Sequence, residues 1–151
     1  MVGNAERRAE ILAQHGRLRR MVHSLLDTAA RLPGDESEAE ILWEQFATLR
    51  FALAQHLLDE EDLLEPIFAR SDGTGAPLLV RMNVEHARQR ATLSLLPSHR
   101  PRDAAALRTF AEIAAGMGRA LLAEMDEEEE QLLSFWALGP SAKPHSGPGT
   151  P

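Results

Sequence analysis

The sequence predicts an all-α fold, an antiparallel up-down-up-down four-helix bundle. Two observations carry that reading. Apolar residues recur at alternating spacings of three and four, the period of a helix face turned towards a core. Three clusters of turn formers then divide the chain into four such segments: Leu32-Pro33-Gly34-Asp35-Glu36-Ser37, the stretch from Arg70 to Pro77 with its two glycines, and Pro97-Ser98-His99-Arg100-Pro101. No strand-type alternation of useful length and no solenoid repeat is present.

The first helix is expected from about Asn4 to Arg31, with an inward stripe of Ile11, His15, Leu18, Val22, Leu25 and Ala29. The second begins after Asp35 or Ser37 as N-cap and ends between Pro66 and Ala69. Its stripe is Leu42, Phe46, Leu49, Leu53, His56, Glu60, Leu63 or Leu64, and Ile67. The third starts at Pro77 and turns Leu79, Met82, His86, Gln89 or Arg90, Leu93 and Leu96 inward. The fourth runs from near Asp103 to near Leu138, with Leu107, Phe110, Ala114, Met117, Leu121, Met125, Glu128, Leu132 and Phe135 facing the core. Residues 1–138 therefore form the bundle. Residues 139–151, with four prolines, three glycines and no large apolar side chain, are expected to be a disordered tail, His145 included.

Composition narrows the function classes. At 151 residues, 44% hydrophobic and 26% charged, the chain is about one soluble domain. Lys+Arg 16 against Asp+Glu 23 leaves a net charge of -7, which disfavours nucleic acid and anionic membranes as partners because both require clustered cations. Without cysteine there are no disulfides, thiolate nucleophiles, zinc-thiolate or iron-sulfur sites, so any metal must sit on nitrogen and oxygen. There is no tyrosine to act as ligand or radical. The first ten residues lack an apolar signal region, and no run approaches the roughly 18 apolar residues of a membrane span. A cytoplasmic location is the expectation.

Five residues interrupt the apolar stripes: His15, His56, Glu60, His86 and Glu128, at least one on each helix. A charged carboxylate flanked by leucine and methionine costs several kcal/mol when buried alone, so Glu60 and Glu128 call for a compensating cation. His56 and Glu60 are four apart, hence on one helix face and roughly 6 Å apart. That spacing lets His56 hold one ion while Glu60 bridges to another. Glu124 stands in the same relation to Glu128.

Heights along the bundle agree for the first two crossings. His15 lies 19 residues before Gly34 and His56 22 after it, and Glu60 and His86 are each 13 residues from Gly73. The third crossing leaves a mismatch of about 16 Å. An extended Pro97 to Arg102 spans that distance; a compact loop would make Glu112 the rival ligand. Taken singly, a stripe histidine reads as a hydrogen-bonded core residue; three of them with carboxylates at compatible heights read as ligands. His23, about 80° round the helix from His15, reads as surface, and His99 as loop. Glu61, Asp62 and the Asp126 to Glu130 run read mostly as a solvated face, Met82, Met117 and Met125 as packing, and Trp43 and Trp136 as anchoring hydrophobes near helix ends.

The pattern resembles the hemerythrin-like, HHE cation-binding family over about residues 5 to 138. The most specific segment is His56-Leu-Leu-Asp-Glu60-Glu61-Asp-Leu-Leu-Glu-Pro66, similar to the family's His-x-x-x-Glu-Glu. Ala13-Gln14-His15-Gly-Arg-Leu-Arg-Arg and Glu85-His86-Ala-Arg-Gln-Arg resemble its helix-one and helix-three histidine segments. The chain departs from the family in helix four. Where a second His-x-x-x-Glu-Glu is usual, it has Glu124-Met-Asp-Glu127-Glu128-Glu129-Glu130, with a carboxylate in the histidine's place. The stripe favours Glu128 as ligand, and Glu127 and Glu129 stand as alternatives. The resemblance implies four antiparallel helices around a non-haem di-iron centre.

Imidazole with bridging carboxylates suits iron or manganese, whereas structural zinc favours four closed ligands, often sulfur. Neither the Glu-x-x-His pairs of ferritin-like bundles nor a His-Glu-x-x-His motif is present. The expected cofactor is two iron ions with an oxo or hydroxo bridge, held by His15, His56, Glu60, His86, Glu124 and Glu128. Positions left open within a wall of Leu53, Met82, Leu121 and Met125 would admit dioxygen, hydrogen peroxide or nitric oxide. The extra carboxylate adds negative charge, which favours ferric iron and peroxide-linked redox chemistry, peroxidase- or catalase-like, with nitric oxide as one candidate reductant and the physiological electron donor unassigned. The alternative is a module that binds or senses oxygen, nitric oxide or iron without turnover.

Overall fold

The computed structural model describes residues 3–70, 73 and 75–137, the side chains of 132–137 excepted. Helix α1 spans Asn4–Arg31, a 3-10 turn covers Leu32–Gly34, and α2 spans Glu38–Arg70, α3 Ala76–Leu95 and α4 Ala104–Ala137. The all-α four-helix bundle predicted by the stripes is the fold, with no strand among the described residues. The stripe positions Leu132 and Phe135, Trp136 and the segment 139–151 lie outside what is described.

Local chemistry sets each helix start. The amide of Gly3 donates to Glu6 Oε2 at 2.9 Å ahead of α1. Asp35 Oδ1 accepts from the Ser37 amide and hydroxyl before α2, whose first turn carries Glu38 and Glu40 against the positive end of the helix dipole. Gly73, at φ 81°, makes the left-handed turn between α2 and α3 that a side chain would resist, and Pro77 sits in the first turn of α3. Asp103 Oδ1 accepts the Ala106 amide at 2.7 Å, the hydrogen bond of an N-cap aspartate on α4. Residues 96–103 are non-helical, as the extended third connection requires. Pro66 lies inside α2 and offers no N–H to the preceding turn, yet the helix continues to Arg70. Leu64 and Phe68, buried on either side of it, hold that last turn against the bundle.

Helix α1 packs on α2 and α4, and α2 also packs on α3. At Gly118 a Cβ would stand 3.1 Å from Val22 Cγ1, so the missing side chain permits the close approach of α4 to α1. The core falls into two apolar clusters. The larger, towards the α1–α2 and α3–α4 connections, includes Leu18, Val22, Leu25, Leu42, Phe46, Leu49, Leu53, Leu93, Phe110, Ala114, Leu121 and Met125. Phe46 and Phe110 meet edge to face at 5.2 Å, and half-buried Trp43 lies 5.4 Å from Phe110. The smaller, at the opposite end, is Ile11, Leu64, Phe68 and Met82. Two stripe readings shift by a residue: Phe68 is buried where Ile67 was expected, and Thr28 is fully buried while Ala29 is half-buried. Between the clusters lies a polar layer. No described helix is long and apolar enough to cross a membrane.

Candidate metal centre

Each helix sends a side chain into the layer where the stripe reading places one. His15 comes from α1 at 0% exposure, His56 and Glu60 from α2 at 4% and 1%, and His86 from α3 at 3%. Glu128 comes from α4 and is partly exposed, at 18%. On each side along its helix an apolar neighbour is buried, Ile11 and Leu18 around His15 and Leu53 and Leu64 around the α2 pair.

The three imidazoles share one orientation. His15 Nδ1 lies 3.0 Å from Glu129 Oε1, His56 Nδ1 2.8 Å from Gln14 Oε1, and His86 Nδ1 2.9 Å from Glu61 Oε1. With each Nδ1 engaged on the outer side, every Nε2 faces the layer, that of His86 within hydrogen-bonding distance of Glu60. His56 Nε2 is 3.3 Å and His86 Nε2 3.1 Å from Glu60 Oε2, while His15 Nε2 is 3.4 Å from Glu128 Oε2. Glu60 and Glu128 are hydrogen-bonded to each other.

The outer partners are themselves held. Arg19 donates to Glu129 at 2.6 Å and to Asp126 at 2.8 Å, tying α1 to α4. Arg90 grips Glu61 with two hydrogen bonds at 2.7 and 3.0 Å, tying α3 to α2. Gln14 donates to Glu10 and Asp59. Two histidines are thus backed by a carboxylate–arginine pair and the third by a neutral amide.

Electrostatics follow from this crowding. Burial pushes the Glu60 carboxyl up, but hydrogen bonds from Glu128, His56 and His86 outweigh it and hold the group well below its usual range. Burial and the adjacent Glu60 push Glu128 well above that range, the opposite displacement expected of two carboxyls crowded together. Burial and the neighbouring His56 lower His15 and keep it neutral. For His86, burial works downward, but hydrogen bonds to Glu60 and Glu61 raise it.

These residues fit a metal ion. One donor atom each from His15, His56, Glu60 and Glu128 lies within 4.8 Å of all the others. That is close to the roughly 4.2 Å between opposite donors at metal–ligand bonds of about 2.1 Å. His15 Nε2 and Glu60 Oε1 are buried and hydrogen-bond to nothing in the protein, a costly arrangement unless a cation takes both lone pairs. The hemerythrin HHE cation-binding domain family matches residues 8–136. The chain belongs to that family. No curated protein and no solved structure matches it. Within this hemerythrin-like domain the clustered set is two histidines and two glutamates, poorer in imidazole than is typical of the family.

Of the six residues singled out from sequence, the structure brings four into the cluster and places His86 against it through Glu60. Glu124 stands one turn from Glu128, where its Oε2 accepts from Gln89 Nε2 at 2.5 Å and its Oε1 is 3.9 Å from Arg88. Among the alternatives, Glu129 supports His15 from outside, Glu127 pairs with Arg81, and Glu112 is exposed. His23 and His99 are exposed. Sequence reasoning assigned no role to Gln14 or Arg19, and Arg90, offered as an inward alternative to Gln89, is exposed and grips Glu61 instead. Gln14 carried a faint signal, a polar residue beside His15 on a helix whose other buried positions are mostly apolar.

Proposed function

We propose that this hemerythrin-like domain is a non-haem iron module whose polar layer holds a pair of iron ions and binds a small ligand such as dioxygen, nitric oxide or hydrogen peroxide. One observation carries the reading: three histidines from three helices have Nδ1 engaged and Nε2 turned inward, beside two closely placed carboxyls. His15, His56, Glu60 and Glu128 would hold one ion, and Glu60 and His86 reach the neighbouring position. Nitrogen and carboxylate donors without thiolate favour iron over structural zinc. Bound iron would supply redox change and an open coordination position. The protein's own contribution is to fix the imidazoles through Gln14, Glu61 and Glu129 and to surround the layer with leucine and methionine, which exclude bulk water and large substrates.

A second reading, peroxide-linked turnover in oxidative or nitrosative stress defence, is favoured by the donor set. Carboxylates in place of imidazole put more negative charge on the layer, which stabilises ferric iron and works against reversible oxygen carriage. Metal analysis and an absorption spectrum test the first reading. The expected result is about two iron ions per chain with near-ultraviolet charge-transfer bands, and loss of both in His56→Ala and Glu60→Ala. A colourless, iron-free wild-type protein overturns it. Consumption of hydrogen peroxide by the iron-loaded protein supports turnover; a stable, reversible oxy spectrum with no peroxide or nitric oxide consumed establishes the binding module.

A further inference from the structure

One turn below the polar layer, between α2, α3 and α4, is a cavity of about 70 Å³ lined by Leu53, Gln89, Thr92, Met117, Leu121 and Glu124, with Arg88 and Ala120 also on its wall. Its lining places it beside the metal centre. Leu53 is three residues before His56, Gln89 three after His86, and Glu124 four before Glu128, so the cavity lies about 5 Å from the layer along all three helices. Leu53, Met117 and Leu121 are buried, while Ala120 and Arg88 are exposed, so the cavity runs from the interior to the surface along α3 and α4.

Its polar groups select a ligand class. Gln89 Nε2 donates to Glu124 Oε2, which fixes the amide with its oxygen free, and Gln89 Oε1 is buried and accepts no hydrogen bond from the protein. Glu124 adds carboxylate oxygens. The orphan among them is an acceptor, the Gln89 carbonyl oxygen, whereas the donors on the wall, the second Gln89 N–H and the Arg88 guanidinium, are not left buried without a partner. A guest that satisfies them must carry O–H groups and be small and uncharged enough to lie against Leu53, Met117 and Leu121.

We propose that this cavity is a holding site for a small neutral hydrogen-bond donor, water at rest and hydrogen peroxide when present, with Gln89 and Glu124 as its receiving groups. Glu124 on this view holds the guest rather than the metal. Dioxygen and nitric oxide, which lack a donor, would leave the Gln89 oxygen unsatisfied. The peroxide part rests on the reading of the polar layer as an iron site; the water part does not.

The test uses the full chain. In the metal-free protein, magnetisation transfer from solvent to the Gln89 side-chain amide and the Leu121 methyls should reveal a long-lived water, lost in Gln89→Leu and in Ala120→Phe, which plugs the mouth. In the ferrous protein, oxidation by hydrogen peroxide, which takes up two electrons and two protons to leave as two waters, should slow at least tenfold in Ala120→Phe with iron content unchanged. Glu124→Gln should keep its iron. Absence of the water signal in wild type, an unchanged peroxide rate in Ala120→Phe, or loss of iron in Glu124→Gln overturns the proposal. A protein that shows the water but loads no iron refutes the iron reading and leaves the cavity as a water site.

Discussion

The two apolar clusters on either side of the polar layer differ in construction. The larger draws on all four helices and includes the Phe46–Phe110 contact, whereas the smaller consists, among the described residues, of Ile11, Leu64, Phe68 and Met82 from three helices. Folding free energy tracks buried apolar area, so among the described residues the larger cluster contributes more of it, and the polar layer joins the two. In the metal-free protein the joint consists of close contacts among His15, His56, His86, Glu60 and Glu128. With a cation in place it would be coordinate bonds from several helices.

The largest expected effect comes from the larger cluster. Phe46→Ala should lower the stability of the metal-free protein by about 3–5 kcal/mol, and Leu64→Ala, in the smaller cluster, should fall near the bottom of the roughly 2–5 kcal/mol range for such truncations. Denaturant unfolding measures both. Equal costs would mean that the two ends are equally well packed.

An intermediate effect concerns the joint and its dependence on pH. Because Glu128 titrates above its usual range in the folded, metal-free protein, the stability its proton contributes is fully present below the unfolded carboxyl range and is lost as pH rises through the raised value. Metal displaces that proton. Iron affinity should therefore climb with pH by about tenfold per unit until Glu128 is ionised, and the stability gap between loaded and metal-free protein should widen over the same interval. Paired thermal melts across the acid-to-neutral range check this, and a constant gap would show that no carboxyl proton is released.

The smallest effect is expected at His23, which is exposed on α1 two turns from His15. His23→Ala should leave iron content intact and change stability by no more than about 0.5 kcal/mol. Loss of iron in this variant would move the α1 ligand away from the boundary between the clusters.

The helices and their order were legible because turn formers and caps act locally: Pro77 and Asp103 mark starts that depend on a few neighbouring residues. The layer was legible because a histidine or glutamate in an apolar stripe stands out at its own position, and heights along a bundle follow from a fixed rise per residue. Details that depend on rotation were less visible. A straight helix drifts about 20° per heptad from a 3.5-residue repeat, enough by the end of α2 to turn Phe68 inward in place of Ile67. The supports of the imidazoles were hidden for another reason. Gln14 and Arg19 on α1 reach α2 and α4, and Arg90 on α3 reaches α2, and such reaches have no periodic signature in the chain. The partner of Glu124 was likewise set by which side chain of α3 stood opposite.

Gly118 lets α4 lie tightly along α1, but the described parts of α3 and α4 have few close backbone approaches and are spanned by polar side chains, Gln89 to Glu124 and Arg81 to Glu127. Such a bundle is seamed on one side and buttoned on the other. Thermal breathing should concentrate at the buttons, making α3 the stave that swings, so the traffic of solvent and small molecules to the interior would follow the strength of these polar clasps.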